Sequence, residues 1–345
     1  MDLLSQKNNE ENLFEIVSSY QHLYDSFKDC SRGKRSKYGF QKYHLHHGEK
    51  LKELEMELKS TRNYKWGGYR EFYVHDPKKR MIMAAPFKDR VVHTALYKAL
   101  TPIIEPTLGV HTFACRVGMG NSHAVSTLYS QLKLMGKNRY CVKLDVKKYF
   151  QSIDHDILLT KLTEILPDQS LAPILLGLVH SCHSKNEVTK KNLSIPIGNL
   201  TSQLFANFYL SSADQFACRN LGIDYFSKAQ QEKSFYIRYM DDIVILSNNK
   251  DQAISVANAF IDFVSTQLKL EIPSYKKMIL ASDPIPFLGF VVDHDSYRPL
   301  QRNVRRFHKH LNRLERQDAL PSLKAQVTQS YESWKNLKEE IYEKV

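Results

Sequence analysis

Three aspartates stand out by type and setting. Asp145 closes the run Tyr140-Cys141-Val142-Lys143-Leu144-Asp145, and Asp241-Asp242 divides two apolar runs, with Ile237 and Tyr239 on one side and Ile243, Val244 and Ile245 on the other. Carboxylates on rigid elements are the usual protein ligands of Mg²⁺. Two such ions about 3.5–4 Å apart serve phosphoryl and nucleotidyl transfer by binding the attacking and leaving oxygens. An Asp-Asp pair alone is most often a solvated turn, because Asp suits turns for local reasons. Here the adjacent charges repel unless a cation neutralises them, and the apolar flanks would hold them nearly rigid. Other chemistry-bearing groups are weaker. The five cysteines, Cys30, Cys115, Cys141, Cys182 and Cys218, are scattered without CxxC spacing. They are expected to be free thiols in a reducing cytoplasm. His44, His46 and His47 cluster, as do His180, Cys182 and His183. Neither group has a second half to complete four ligands, so no zinc site is expected.

The elements that position the aspartates follow from periodicity. Residues 140–146 alternate as a half-buried strand, and 235–246 read as strand, tight acidic turn and strand. Helical spacing runs over 12–27, 48–60, 91–104 (stopping near Pro106), 121–135 and 252–270. A basic turn covers Arg32 to Lys37. Residues 69–87 are β-like around a turn at Asp76-Pro77, and Phe287-Leu288-Gly289-Phe290 lies in a further β pattern. Near the carboxyl end Val304, Phe307, Leu311 and Leu314 share one helical face. Pro321 breaks that helix, and Leu323, Val327, Tyr331, Trp334, Leu337 and Ile341 align on a second.

The formal charge of the 345-residue chain is +12, which favours a polyanionic partner, nucleic acid above all. No apolar stretch is long enough to span a bilayer, and the polar, acidic stretch from Met1 to Glu15 is not a signal peptide. A cytoplasmic protein with no membrane partner is expected.

Taken together, several blocks resemble the reverse transcriptase family. Tyr239-Met240-Asp241-Asp242 resembles its YxDD signature, and Val142 to Phe150 with Ser152-Ile153-Asp154-His155 resembles the block of its first catalytic Asp. Ile195 to Gln203 takes the place of the nucleotide-contacting block, and Phe287-Leu288-Gly289 that of the primer grip. Asp76 to Arg80, Lys88 to His93 and Phe113 to Gly118 agree as well, so that the likeness spans about residues 66–292. It implies two Mg²⁺ ions and dNTP substrates, with Asp145, Asp241, Asp242 and the Val146 carbonyl as metal ligands. Lys78 and Arg80 would grip the triphosphate, with Arg116 a secondary candidate. Phe150 would be the aromatic gate against a ribose 2′-OH, and Ile197, Gly198 and Gln203 would contact the nucleotide. Lys277, or adjacent Lys276, matches the lysine that protonates the leaving pyrophosphate.

The implied architecture is α+β, a right-hand polymerase fold. Its fingers would cover 1–120 and 156–195, its antiparallel-sheet palm 121–155 and 196–297, and its small helical thumb 298–345. In that thumb Arg302, Arg305, Arg306, Lys309 and Arg313 would face the template–primer backbone. The form Ile197-Gly198-Asn199-Leu200-Thr201-Ser202-Gln203 resembles reverse transcriptases of bacterial and phage diversity-generating retroelements. Those enzymes copy a template-repeat RNA with frequent errors opposite adenine. The resemblance implies as partners that non-coding RNA, the RNA/cDNA duplex and a small basic helical, ring-forming accessory protein. No protease, RNase H, integrase or endonuclease segment is read in the chain, and 45 residues follow Leu300. A retron-type or antiviral-defence reverse transcriptase is the enzymatic alternative. An RNA-binding scaffold with an inactive polymerase fold is the non-enzymatic one, against which the intact aspartates argue.

Overall fold

The computed structural model describes residues 12–34, 36–62, 64–75, 79–181, 192–228, 232–273, 278–279, 283–317 and 320–335. Helices α1 (Leu13–Ser18), α2 (Tyr20–Ser31), α3 (Tyr38–His44) and α4 (His47–Thr61) come first. The ribbon of β1 (Arg70–His75) and β2 (Lys79–Ala84) leads into α5 (Phe87–Ile104). Next come α6 (Asn121–Met135), β3 (Tyr140–Asp145), α7 (Tyr149–Ser152), α8 (His155–Ile165), α9 (Ala172–His180), α10 (Leu200–Tyr209) and α11 (Ser211–Leu221). Strands β4 (Ser234–Tyr239) and β5 (Asp242–Ser247) precede α12 (Lys250–Leu268) and β6 (Met278–Ile279). The chain then forms β7 (Ile285–Phe287), β8 (Phe290–Val292), β9 (Tyr297–Pro299), α13 (Gln301–Arg316) and α14 (Pro321–Lys335). This is an α+β architecture in which every named strand pairing is antiparallel. Among the described residues no helix is long and apolar enough to cross a membrane.

Two compact units divide the chain, each assembled from separate stretches. The first comprises Met1–Leu108, Lys148–Ser211 and Leu268–Leu270; the second comprises Gly109–Lys147, Ser212–Gln267 and Glu271–Val345.

In the first unit, α5 buries Val91, Val92, Ala95, Leu96, Leu100 and Ile104 at the three-to-four spacing of one helical face. The single helix expected over 12–27 is two. Ser19 is extended (φ −66°, ψ 141°), and its hydroxyl accepts the His22 N–H, so it caps α2. The extra helix α3 follows the basic turn and buries Phe40 and Tyr43. Its His44 stacks on Phe40 and Phe27, with His47 on Phe27.

In the second unit, a sheet of order β4-β5-β3-β6 carries the aspartates. Alternation gives it two faces. On one, Cys141, Phe235, Ile237, Val244 and Leu246 pack in one cluster with Leu128 and Leu132 of α6 and with Phe287 and Phe290. The latter two belong to the three-stranded sheet β7-β8-β9. Val142, Leu144, Tyr236, Arg238, Ile243 and Ile245 form the other face, fully buried. Within the carboxyl-terminal helices the Phe307 ring stacks on Tyr331 at 3.6 Å between centroids, and Leu314 is buried as its helical spacing predicts. The side chain of Trp334, together with Leu337 and Ile341, lies outside the described residues.

Candidate active site

The β4–β5 hairpin turns on two residues, Met240 and Asp241, with Tyr239 paired to Asp242. Met240 has φ +55°, the left-handed value that tight hairpin turns require at a central position. On the other edge of β5, the β3 register sets Asp145 directly opposite Asp242. Residues paired in this way point to the same face, with Cβ atoms about 4.5–5.5 Å apart. Two carboxylates far apart in sequence thus stand side by side, and the third sits in the adjoining turn.

The local electrostatics centre on Asp242. Lys143, two residues before Asp145 and therefore on the same face, puts its Nζ 2.9 Å from Asp242 Oδ1. That ammonium donates to Oδ2 at 3.1 Å and to the Pro286 carbonyl at 2.8 Å. Oδ1 is buried and receives no aligned hydrogen bond; its approach to Nζ is a charge contact. Burial pushes the Asp242 carboxyl above the ordinary range and Asp145 adds to the push, while Lys143 pulls the other way. Asp145 is exposed, and Asp241 and Asp242 are half-buried. An all-oxygen donor set holding a buried carboxylate oxygen without a donor fits a hard divalent cation such as Mg²⁺.

The three carboxylates do not all converge within 4.8 Å of one another. Among the described residues the trio that does is Asp293-His294-Asp295. In that turn Asp293 Oδ1 accepts the N–H groups of Asp295 and Ser296, which accounts for the clustering as local turn chemistry.

The first unit gathers another set of the expected residues. The Phe150 carbonyl accepts the Ile195 N–H at 2.8 Å, and the Ile197 carbonyl accepts the Met83 N–H at 3.1 Å. Phe150 on α7 and the segment 195–198 are therefore tied together, and that segment is tied to β2, which carries exposed Arg80. Gly198 has φ +119°, and a Cβ there would lie 3.2 Å from Ile82 Cγ2. Gly198 and Gln203 line a cavity of about 430 Å³ together with Ile82, Arg90, His93 and Asn199. Arg116, in the second unit, donates from one Nη to the Gly109 and Thr112 carbonyls at 2.6 and 2.7 Å, bracing its own loop. Val146 is buried. Asp154, in the same block as Asp145, caps α8 through the Asp156 and Ile157 N–H groups and pairs with Lys269 at 2.9 Å. Lys78, Lys276, Lys277, Cys182 and His183 lie outside the described residues.

Sequence reasoning missed Lys143, the buried pair Asp214–Arg238 and His93. Each carried a faint signal. Arg238 interrupts the otherwise uncharged strand Ser234-Phe235-Tyr236-Ile237-Arg238-Tyr239, and a charge in a buried strand requires a partner. His93 lies on the buried face of α5, where its Nδ1 meets Thr201 Oγ1 at 2.7 Å. Its burial pushes the imidazole pKa down to about 3.

Comparison with known proteins decides the family. A family model described as "Reverse transcriptase (RNA-dependent DNA polymerase)" matches residues 75–292, a stretch that contains all three aspartates. The chain belongs to the reverse transcriptase family. Similar members include the group II intron-encoded protein LtrA of Lactococcus lactis subsp. cremoris, 21% identical over 356 residues, covering 82% of this chain and 58% of that protein. The retron Ec73 reverse transcriptase of Escherichia coli is 25% identical over 192 residues, covering 52% of this chain and 56% of that one. The chain thus spans little more than half of these relatives. Its backbone is also similar to apo telomerase from Candida tropicalis, with TM-score 0.49, 13% identity, and coverage of 68% of this chain and 48% of that chain.

Proposed function

We propose that this chain is an RNA-directed DNA polymerase in which Asp145, Asp241 and Asp242 hold two Mg²⁺ ions. The observation that carries the reading is the pairing of Asp145 with Asp242 across β3 and β5, beside the turn that bears Asp241. Bound metal would neutralise charge on the reacting phosphate oxygens. The chain's own part is to hold the three carboxylates on β3 and the β4–β5 hairpin beside it and to place the deoxynucleotide. Val146 would lend its backbone carbonyl to the metal, and Lys78, Arg80 and Arg116 would grip the triphosphate. Phe150 would exclude a 2′-OH, Ile197, Gly198 and Gln203 would contact the nucleotide, and Lys277 or Lys276 would protonate the leaving group. Fingers would cover 1–120 and 156–195, palm 121–155 and 196–297, and thumb 298–345. The test is Mg²⁺-dependent primer extension on an RNA template, with Asp241→Ala and Asp242→Ala as controls. Extension that survives both substitutions overturns the assignment.

Within that activity, the Ile197 to Gln203 block supports a diversity-generating enzyme that makes adenine-mutagenised cDNA from a template-repeat RNA. A small basic accessory protein would assist it. An Ile side chain at 197 offers no hydrogen bond to police the nascent pair, so mispairs meet less discrimination. Ile197→Gln is expected to lower misincorporation at template adenines; an unchanged error spectrum refutes this account. Similarity to the retron Ec73 enzyme supports a second reading, a retron-type reverse transcriptase. A template-repeat and variable-repeat pair beside the gene separates the two.

A further inference from the structure

Behind the sheet face that bears the aspartates lies an ion pair with no exposure at all. Arg238 Nε donates to Asp214 Oδ1 at 2.7 Å, and Nη2 donates to Oδ2 at 2.6 Å, with both side chains 0% exposed. Asp214 is held in turn by the Tyr236 hydroxyl, which donates to Oδ1 at 2.5 Å. The Thr112 and Tyr225 hydroxyls stand 3.4 Å from Oδ2.

The remaining arm of the guanidinium faces the turn. Arg238 Nη1 donates to the Met240 carbonyl at 3.0 Å. The backbone of Arg238 is pinned as well: its N–H donates to the His111 carbonyl at 3.0 Å, and its carbonyl accepts the Phe113 N–H at 3.1 Å. One residue therefore joins α11, the loop at 111–113 and the tip of the hairpin.

The Met240 carbonyl belongs to the peptide unit that ends at the Cα of Asp241, and a peptide unit is a rigid plane. Holding that oxygen fixes where the Asp241 side chain departs from the backbone. The restraint matters because Met240 is in the left-handed region, which a residue with a side chain adopts at a cost. A buried ion pair is a poor way to gain stability, since well-packed apolar residues of similar volume often do as well. Its planar fork, by contrast, can grip a carboxylate and a carbonyl at once, which a lysine ammonium cannot do with the same geometry.

We propose that Asp214 and Arg238 are positioning residues that orient the Met240–Asp241 peptide and so set the site at which Asp241 offers its carboxylate to a divalent cation. This rests on the reading of Asp145, Asp241 and Asp242 as the metal site, and neither Asp214 nor Arg238 touches substrate.

Two variants of the full chain test it. Asp214→Leu/Arg238→Met replaces the pair by apolar groups, and Arg238→Lys keeps the charge but loses the fork. Mn²⁺ binding is followed by electron paramagnetic resonance of the free ion, alongside thermal melting and primer extension titrated with Mg²⁺. Both variants are expected to fold but to melt lower, the first by about 2–12 °C because Asp214→Leu leaves the buried Tyr236 hydroxyl without its acceptor. Mn²⁺ affinity and kcat should each fall about tenfold to a hundredfold, the usual scale for losing the support behind a metal ligand, with the dNTP KM little changed. A folded variant that binds Mn²⁺ with wild-type affinity overturns the proposal. If one variant fails to fold, the other decides on the same criterion. A wild-type chain that binds Mn²⁺ but extends no primer refutes the polymerase reading instead, and Mn²⁺ affinity then tests the positioning role alone.

Discussion

Removing the ammonium at Asp242 has a consequence that can be worked from the geometry. Lys143→Met keeps an apolar stem beside the Phe287 ring, whose centroid lies 5.9 Å from Nζ, and deletes the ammonium with its donation to Asp242 and to the Pro286 carbonyl. The two side chains are 28% and 23% exposed. The pair therefore falls between exposed ion pairs, worth about 0–1 kcal/mol, and fully buried ones, whose breakage costs roughly 3–5 kcal/mol. A loss of about 1.5–2 kcal/mol without metal follows. At roughly 2–4 °C per kcal/mol for a unit of this size, the melting temperature in EDTA should fall by about 3–8 °C. Metal reverses the sign. In the wild type a divalent ion on Asp242 has to displace Lys143 and forfeit that same contribution; in the variant it displaces nothing. Mg²⁺ should then bind the variant more tightly by the freed amount, about tenfold to thirtyfold at 1.4 kcal/mol per decade. Differential scanning fluorimetry across a Mg²⁺ titration measures both effects. A variant that melts with the wild type in EDTA, or that shows no larger rise with Mg²⁺, refutes the reasoning.

Gly198→Ala forces a side chain into φ +119° and within 3.2 Å of Ile82 Cγ2, and should cost about 1–3 kcal/mol, read as a lower urea midpoint. His93 is neutral in the fold, with its pKa down at about 3 against an ordinary 6.5. Below pH 6.5 the unfolded chain therefore binds the extra proton, and stability is lost as pH falls. Between pH 7 and pH 5 that loss is about 2 kcal/mol; His93→Gln should remove this share of the slope, and an unaltered difference between urea midpoints at the two pH values counts against it. Arg302, Arg305 and Lys309 are exposed on α13. Their joint replacement by Gln should flatten the dependence of log affinity for an RNA/DNA duplex on log salt by roughly 0.9 for each phosphate no longer neutralised, up to about 2.7 in all. An unchanged slope removes α13 from the interface.

The acidic hairpin was legible in the sequence because its signal is local. Two apolar strand patterns flank an acidic dipeptide, and register then follows from the two-residue turn. Asp145 was legible for the same reason, as the last residue of an alternating strand. That it shares a site with Asp242 was implied only by the family likeness, and the pairing of the two across β3 and β5 was not read, since nothing local encodes which strands become neighbours. Lys143 on Asp242 and Asp214 on Arg238 were illegible because their partners are remote in the chain, and both depend on which face of the sheet each residue takes. The break at Ser19 was hidden by apolar spacing that continues through it. Only the competing hydroxyl cap ends α1 there, and a Ser in a helical pattern is a weak sign by itself. Phe287 and Phe290 read as strand, whereas the turn between them is set by left-handed Leu288 (φ +49°) and Gly289 (φ +90°), of which only the glycine announces itself.

Each compact unit is stitched from three stretches of chain, and the first is closed by the short segment Leu268–Leu270. The Leu268 carbonyl accepts the Tyr209 hydroxyl, and Lys269 reaches Asp154. During synthesis, then, the early helices wait for residues made long after them, and no single cut releases either unit whole. Such long-range closure slows folding and prolongs the life of half-made forms with exposed apolar surface. Swapping a unit between relatives would mean transplanting three segments at once, and a truncation that ends before residue 268 would leave the first unit with an open seam.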